Sequence, residues 1–195
     1  MLQNTLSWKS QVASITRKVN RALFGLRFIK ACTTQALRKT LVQALVVPHL
    51  DYCSVVFSDM PFCLKIQLQR LANSAVRYIF NIRASTHVTP YRRQLGWLRT
   101  DTRRDYFTGL AMYKLMHLKE PEYLTQFFTR YESKRPTRGL RTDLRILHVL
   151  SEMVRTSFQV QSAYLWNSLP VSLRDSPSLS RFKKEYRKHL FDNDM

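Results

Sequence analysis

The segment TLVQALVVPHLDYCSVVFSD, residues Thr40–Asp59, is the longest stretch of the chain with little charge. Before Asp59, its only acidic or basic side chains are those of His49 and Asp51. Pro48 lacks the N–H that a helix interior needs, so we expect a helix to end or kink there. Because its polar groups would be costly to place in lipid, the segment is expected to form a buried core element rather than a membrane span.

The charge of the chain points to a polyanionic partner. Across 195 residues, 32 Lys and Arg oppose 13 Asp and Glu, which gives a net charge of +19 and a pI of about 10.4. Residues 1–100 contain only two of the acids, and residues 60–100 contain none. Such a field favours phosphate backbones first and anionic membrane surfaces second. The first half is therefore the better candidate for nucleic-acid contact, unless the chain is a fragment whose acidic partner surface lies elsewhere.

The first predicted helix runs from about Ser7, a suitable N-cap, to Ile29. Its apolar residues recur at steps of three and four and so share one face, comprising Trp8, Val12, Ile15, Val19, Ala22, Leu26 and Ile29. Basic side chains cover much of the remaining circumference, where they either are simply solvated or contact phosphates. These candidate nucleic-acid-binding residues are Lys9, Arg17, Lys18, Arg21 and Arg27.

The same periodicity predicts a mainly α-helical chain. A second helix is capped by Thr33 or Thr34 and runs to Pro48, and a third runs from near Pro61 to Phe80. A short helical turn is then predicted over Thr89–Gly96, with Thr89 as its N-cap. Further helices or turns are predicted from Thr100 or Asp101, from Pro121 and over Ser157–Leu169. The last helix is predicted to have Ser176 as its N-cap and Pro177 at its first position. Thr129–Thr142 is polar and basic, and is expected to be a linker or a loop ordered by its ligand. Its candidate binding residues are Arg135, Arg138 and Arg141.

Residue patterns that would indicate a catalytic or metal centre are missing from the sequence. The four glycines are isolated, so they cannot form a phosphate-cradling loop. The five histidines lack the spacing of a zinc site, and no cofactor is expected. The three cysteines form no C-x-x-C pair and are expected to be reduced thiols: Cys32, Cys53 and Cys63. Cys53 is expected to be a small residue of the core. Met1–Ser10 has no apolar core of a signal peptide, and we expect an intracellular protein of the nucleus or cytoplasm.

Three groups of residues resemble the C-terminal part of the reverse transcriptase of non-LTR retrotransposons of the jockey and chicken-repeat type. The first is Leu6–Lys9 with the basic helix that follows it. The second is LRKTLVQ at 37–43, leading into PHLDYCS at 48–54 and LQRLANSAVRYIF at 68–80. The third is Thr89–Pro90, LGWL at 95–98, and YLWNSLP at 164–170 followed by SLSRFK at 178–183. The resemblance covers nearly the whole chain.

The resemblance implies a thumb-like helical bundle over 1–80, packing beside the primer–template duplex. A helical extension over 81–128, a basic linker or loop over 129–150 and a C-terminal helical tail over 151–195 would follow. In that family the palm, with its paired aspartates for two metal ions, precedes this region. This chain has no adjacent Asp-Asp pair, so we expect it to be inactive alone and to depend on the missing palm and fingers.

The leading hypothesis is a non-catalytic reverse-transcriptase fragment that binds RNA, DNA or an RNA–DNA hybrid through its basic helices. A second hypothesis is a domesticated protein-interaction module, for which Trp97, Tyr164 and Trp166 are candidate anchors. A third is a non-functional, truncated copy of the element. Asp51, an acid inside the apolar segment, should have a partner, such as His49 or an arginine of an adjacent helix.

Overall fold

A computed structural model describes residues 7–57, 60–130, 143–146 and 151–194. Helices hold 73% of these residues, and within them the β pairing is limited to an isolated bridge between Arg130 and Leu144. The mainly α-helical prediction is therefore confirmed. The chain divides into two compact units, Met1–Arg103 and Arg104–Met195. The finer boundaries expected after residues 80, 128 and 150 stay predictions.

The first unit is a small helical bundle. Its helices are α1 (Lys9–Phe28), α2 (Gln35–Leu45), α3 (Val47–Asp51), α4 (Phe62–Phe80) and α5 (Thr89–Gln94), with 3-10 turns at Lys30–Cys32 and Ser54–Phe57. Helix α6 (Thr100–Tyr113) contains the division between the two units. The predicted break at Pro48 is confirmed, because α2 ends at Leu45 and Pro48 lies in the first turn of the separate helix α3.

The core of the first unit lies between α1 and α4. Leu64, Leu68, Leu71, Ala75 and Ile79 of α4 are buried, as their spacing predicts. They pack with Val12, Ile15, Val19, Leu23 and Leu26 of α1, with Val42 of α2 and with Val46, the residue that follows α2. The stripe predicted for α1 thus omitted a buried residue, Leu23, and included Ile29, which is exposed.

The expectation that the whole Thr40–Asp59 segment is buried is wrong. Val42, Val46 and Ser54 are buried, but Leu45, Tyr52 and Val56 are exposed. Helices as short as α2 and α3 turn only one face toward the core, and the other face remains in water. Cys53 is also exposed, contrary to its predicted place in the core, and has a left-handed φ of 54° at the end of α3.

Three of the predicted helix caps differ from the structure, and one agrees. Thr34 caps α2, since its Oγ1 accepts a hydrogen bond from Leu37 N at 3.3 Å. The N-cap of α1 is Trp8 instead of Ser7, and that of α5 is Val88 instead of Thr89. The last helix is capped by Ser178, whose Oγ accepts from Arg181 N, and not by Ser176, which is buried.

The second unit surrounds a column of aromatic rings. After α6 it comprises a π-helical turn at Lys114–Leu118 and the helices α7 (Glu122–Thr125), α8 (Glu152–Arg155), α9 (Phe158–Ser168), α10 (Val171–Arg174) and α11 (Leu179–Asn193). Phe182 of α11 stacks between Tyr113 and Tyr186, with centroid distances of 4.6 and 5.2 Å. The predicted apolar face of α11 is confirmed at Phe182, Tyr186 and Leu190.

Candidate nucleic-acid interface

Five basic side chains lie on the solvent side of α1. The buried residues of this helix follow the 3.6-residue period, so they occupy one stripe and leave the rest of the circumference in water. The helix contains no acidic residue. All five cations predicted from the sequence are exposed, and we call them the α1 basic face: Lys9, Arg17, Lys18, Arg21 and Arg27.

The described part of the first unit holds no acid that could neutralise this face. The Asp51 carboxylate is bound by Arg103, through Nε–Oδ1 and Nη2–Oδ2 contacts of 2.5 Å each. Asp101 lies 3.4 Å from Arg99 Nε. Within residues 7–57 and 60–103 these are the two acids, and both face other arginines. Among the described residues of the first unit, no acid offsets the charge of the α1 basic face.

Helix α1 is held firmly against α4, which orients its basic face. The Tyr78 hydroxyl donates a hydrogen bond of 3.0 Å to the Leu26 carbonyl, and this bond is buried. Gln67 Nε2 donates to Thr16 Oγ1 at 3.2 Å. Together with the apolar contacts of the core, these bonds tie both halves of the helix to one neighbour.

Two aromatic residues on the outer side of α1 were missed by the sequence prediction. Phe24 is 60% exposed and Phe28 is 73% exposed. Their rings meet edge to face, with centroids 4.9 Å apart and planes at 87°. Their spacing of four, outside the apolar stripe, is the signal that could have identified them, since aromatic residues beside cations are typical of surfaces that bind unpaired bases.

Several other basic side chains have structural roles instead. Arg92 is buried and its Nη1 donates to the Trp97 carbonyl at 3.0 Å. Arg38 Nη1 donates to the Tyr78 carbonyl at the C-terminal end of α4. Arg174 is buried and its Nη1 lies 2.7 Å from Asp143 Oδ1. Net charge therefore overstates the number of cations available to a ligand.

The second predicted patch, Arg135, Arg138 and Arg141, lies outside the described residues. Its contribution to nucleic-acid binding stays a prediction.

The aromatic anchors expected for a protein-interaction module are largely used inside the fold. Trp166 is 3% exposed and packs near Phe182. Trp97 is half-buried against the core of the first unit. Only Tyr164 of the three is exposed, at 52%. The proposal of Trp166 as a docking anchor is therefore wrong.

The described residues offer little for acid–base or metal chemistry. They contain no group of three His, Cys, Asp or Glu side chains placed to hold a metal ion. Burial, and secondarily the nearby Asp105 carboxylate, raises the pKa of the Tyr186 hydroxyl, which donates a hydrogen bond of 2.9 Å to the Asp105 carbonyl. A side-chain hydrogen bond with Cys53, and then the negative charge of the Cys53 thiolate, raises the pKa of Tyr52. The described helices are each too short or too polar to cross a bilayer.

Comparisons with known proteins add no identification. The chain matches no known protein family, no curated protein and no solved structure.

Proposed function

We propose that this chain is the thumb and post-thumb part of a non-LTR retrotransposon reverse transcriptase and binds nucleic acid without sequence preference. The α1 basic face is the contact surface. In this proposal the chain is intracellular. It is non-catalytic by itself, since its sequence has no adjacent Asp-Asp pair for the two metal ions of phosphoryl transfer. The order and spacing of the segments that resemble the jockey and chicken-repeat type support the ancestry.

The observation that carries the binding proposal is a helix with five exposed cations and a buried opposite face. Within the described residues, the Arg17, Lys18, Arg21 and Arg27 side chains have no hydrogen-bond or ion-pair partner. Cations fixed on a rigid helix bind a phosphate backbone by releasing its condensed counterions. Such contacts are independent of base sequence, because the phosphates carry no sequence information.

Salt dependence tests this proposal directly. The affinity of the whole chain for duplex DNA and for an RNA–DNA hybrid should fall steeply as salt rises, and log K should be linear in log salt. The triple substitution Arg17→Gln, Lys18→Gln and Arg21→Gln should reduce the magnitude of the slope of log K against log salt by about two to three. Each phosphate contact contributes about 0.9 to that slope. Fluorescence anisotropy of a labelled duplex measures both quantities.

A charge-matched control separates contact from general attraction. Lys183, Lys184 and Lys188 are exposed on α11, and their replacement by Gln removes the same net charge. The α11 triple variant should keep a slope close to that of the unmodified chain. Equal slopes for the two triple variants, or affinity that stays flat between low and physiological salt, would refute binding through α1.

The ancestry is tested separately, by reading the frame upstream of the Met1 codon for a palm with an Asp-Asp motif.

A further inference from the structure

We infer that the outer side of α1 binds single-stranded nucleic acid, with unpaired bases stacked on Phe24 and Phe28. The inference rests on the proposed nucleic-acid binding and specifies its ligand. The surface concerned, which we call the α1 ridge, consists of Arg17, Arg21, Phe24 and Phe28.

The four residues of the α1 ridge follow one another at steps of four, three and four. They therefore lie along one side of the helix, over about 16 Å at 1.5 Å per residue. Arg17 and Arg21 come first, and the two phenylalanines come next toward the C-terminal end. A strand running along this side would meet cations and then aromatic rings.

The exposure of the two rings is not explained by packing within the described first unit. The core side of α1 is already filled by Val12, Ile15, Val19, Leu23 and Leu26. In the edge-to-face arrangement the edge of one ring covers a single face of the other, so other ring faces remain open to solvent. Open aromatic faces are platforms on which any base can stack, whatever its identity.

The surrounding charge selects the occupant. An apolar pair by itself would suit many partners, but these rings share a helix with five cations and no acid. A nucleic-acid strand supplies both complementary parts, phosphates for the arginines and base faces for the rings. Unpaired bases are required, because the faces of bases inside a duplex are already covered by their neighbours.

The test compares three ligands of equal length: oligothymidylate of about 12 nucleotides, within the range of single-strand site sizes, its abasic counterpart and a duplex. The unmodified chain should bind the thymidylate at least about tenfold more tightly than the abasic strand, since each stacked base should contribute about that much. Phe24→Leu with Phe28→Leu keeps the apolar side chains but removes the π faces. This double variant should bind the thymidylate and the abasic strand equally, and should bind duplex as the unmodified chain does.

Phe62→Ala is the matched control. Phe62 is 76% exposed at the first residue of α4, and its replacement should leave all three affinities unchanged. Circular dichroism establishes that each variant retains its helix content. The stacking inference would be overturned if the leucine variant still preferred the thymidylate over the abasic strand tenfold. It would also be overturned if the unmodified chain showed no such preference. If the chain binds none of the ligands, the proposed function itself fails; if it binds all three equally, only the stacking inference fails.

Discussion

The carboxylate of Asp51 and the guanidinium of Arg103 form a two-point ion pair, 52 positions apart in the sequence. The pair joins α3 to the first turns of α6, and its two side chains are 22% and 32% exposed. Arg103 is therefore the partner of Asp51, which is the only acid in the described part of the apolar 40–59 segment. Among the candidates expected from the sequence, an arginine of another helix was correct and His49 was not.

Removing the fit between these two groups should destabilise the chain. We expect Arg103→Lys and Asp51→Asn each to cost about 1–2 kcal/mol, since a lysine cannot reproduce the fork and an amide carries no charge. Urea unfolding followed by tryptophan fluorescence measures the loss. Arg181→Lys is the control, because the Arg181–Glu185 pair lies on the exposed surface of α11 and should contribute less than about 0.5 kcal/mol. Similar losses at both pairs would contradict a special role for Asp51–Arg103.

Two glycines in helices should respond to alanine in opposite directions. A Cβ at Gly109 would lie 2.3 Å from Tyr186 Cε1, so Gly109→Ala must displace a buried ring of the aromatic column. We expect a loss of about 1–3 kcal/mol. A Cβ at Gly25 meets nothing within 4 Å, and Gly25→Ala should stabilise α1 by about 0.5–1 kcal/mol. Thermal unfolding of the two variants tests the contrast, and a stable Gly109→Ala chain would show that the α6–α11 contact is looser than described.

The Tyr186 hydroxyl should make stability depend on alkaline pH. Burial raises its pKa, so the folded chain retains this proton where an unfolded tyrosine, with a pKa near 10, releases it. The stabilisation is therefore complete below pH 10 and decreases as pH rises above 10, by about 1.4 kcal/mol per pH unit.

Replacing this tyrosine should remove that part of the pH dependence. Tyr186→Phe loses the hydrogen bond to the Asp105 carbonyl, at a cost of about 1 kcal/mol near neutral pH. Its deficit should shrink, or reverse, when urea unfolding is repeated at pH 11. The same exchange at the exposed Tyr123 gives the matched control. A deficit that stays constant from pH 8 to pH 11 would mean that Tyr186 ionises equally in both states.

Asn167, within the WNSLP motif, should be required for the local structure of the second unit. Its side chain accepts a hydrogen bond from Leu144 N at 2.8 Å and donates one to the Leu144 carbonyl at 2.9 Å. Asn167→Asp replaces the donor with an acceptor facing that carbonyl, and we expect a loss of about 1–3 kcal/mol. Ser168→Ala, at the exposed neighbouring residue, should be nearly neutral. Chemical denaturation measures both, and equal effects would argue against the pairing.

The resemblance motif thus has a structural basis in this chain. Trp166 and Leu169 are buried, Asn167 binds the backbone of Leu144, and Pro170 is the N-cap of α10. These contacts concern folding of the second unit and say nothing about catalysis. A short polar motif with an aromatic residue was easy to interpret as a docking element from sequence, because its partner lies 23 residues away.

The sequence by itself determined the helical class, the buried stripe of α4, the break at Pro48 and the cations on the outside of α1. These features follow from a local rule, the 3.6-residue period and the fixed backbone of proline, and neighbouring residues are enough to read them. Only the tertiary structure decided which arginines bind other groups of the chain, that Asp51 pairs with Arg103, and that Trp166 is buried. Burial and ion pairing depend on which distant segments meet, and no local pattern records that.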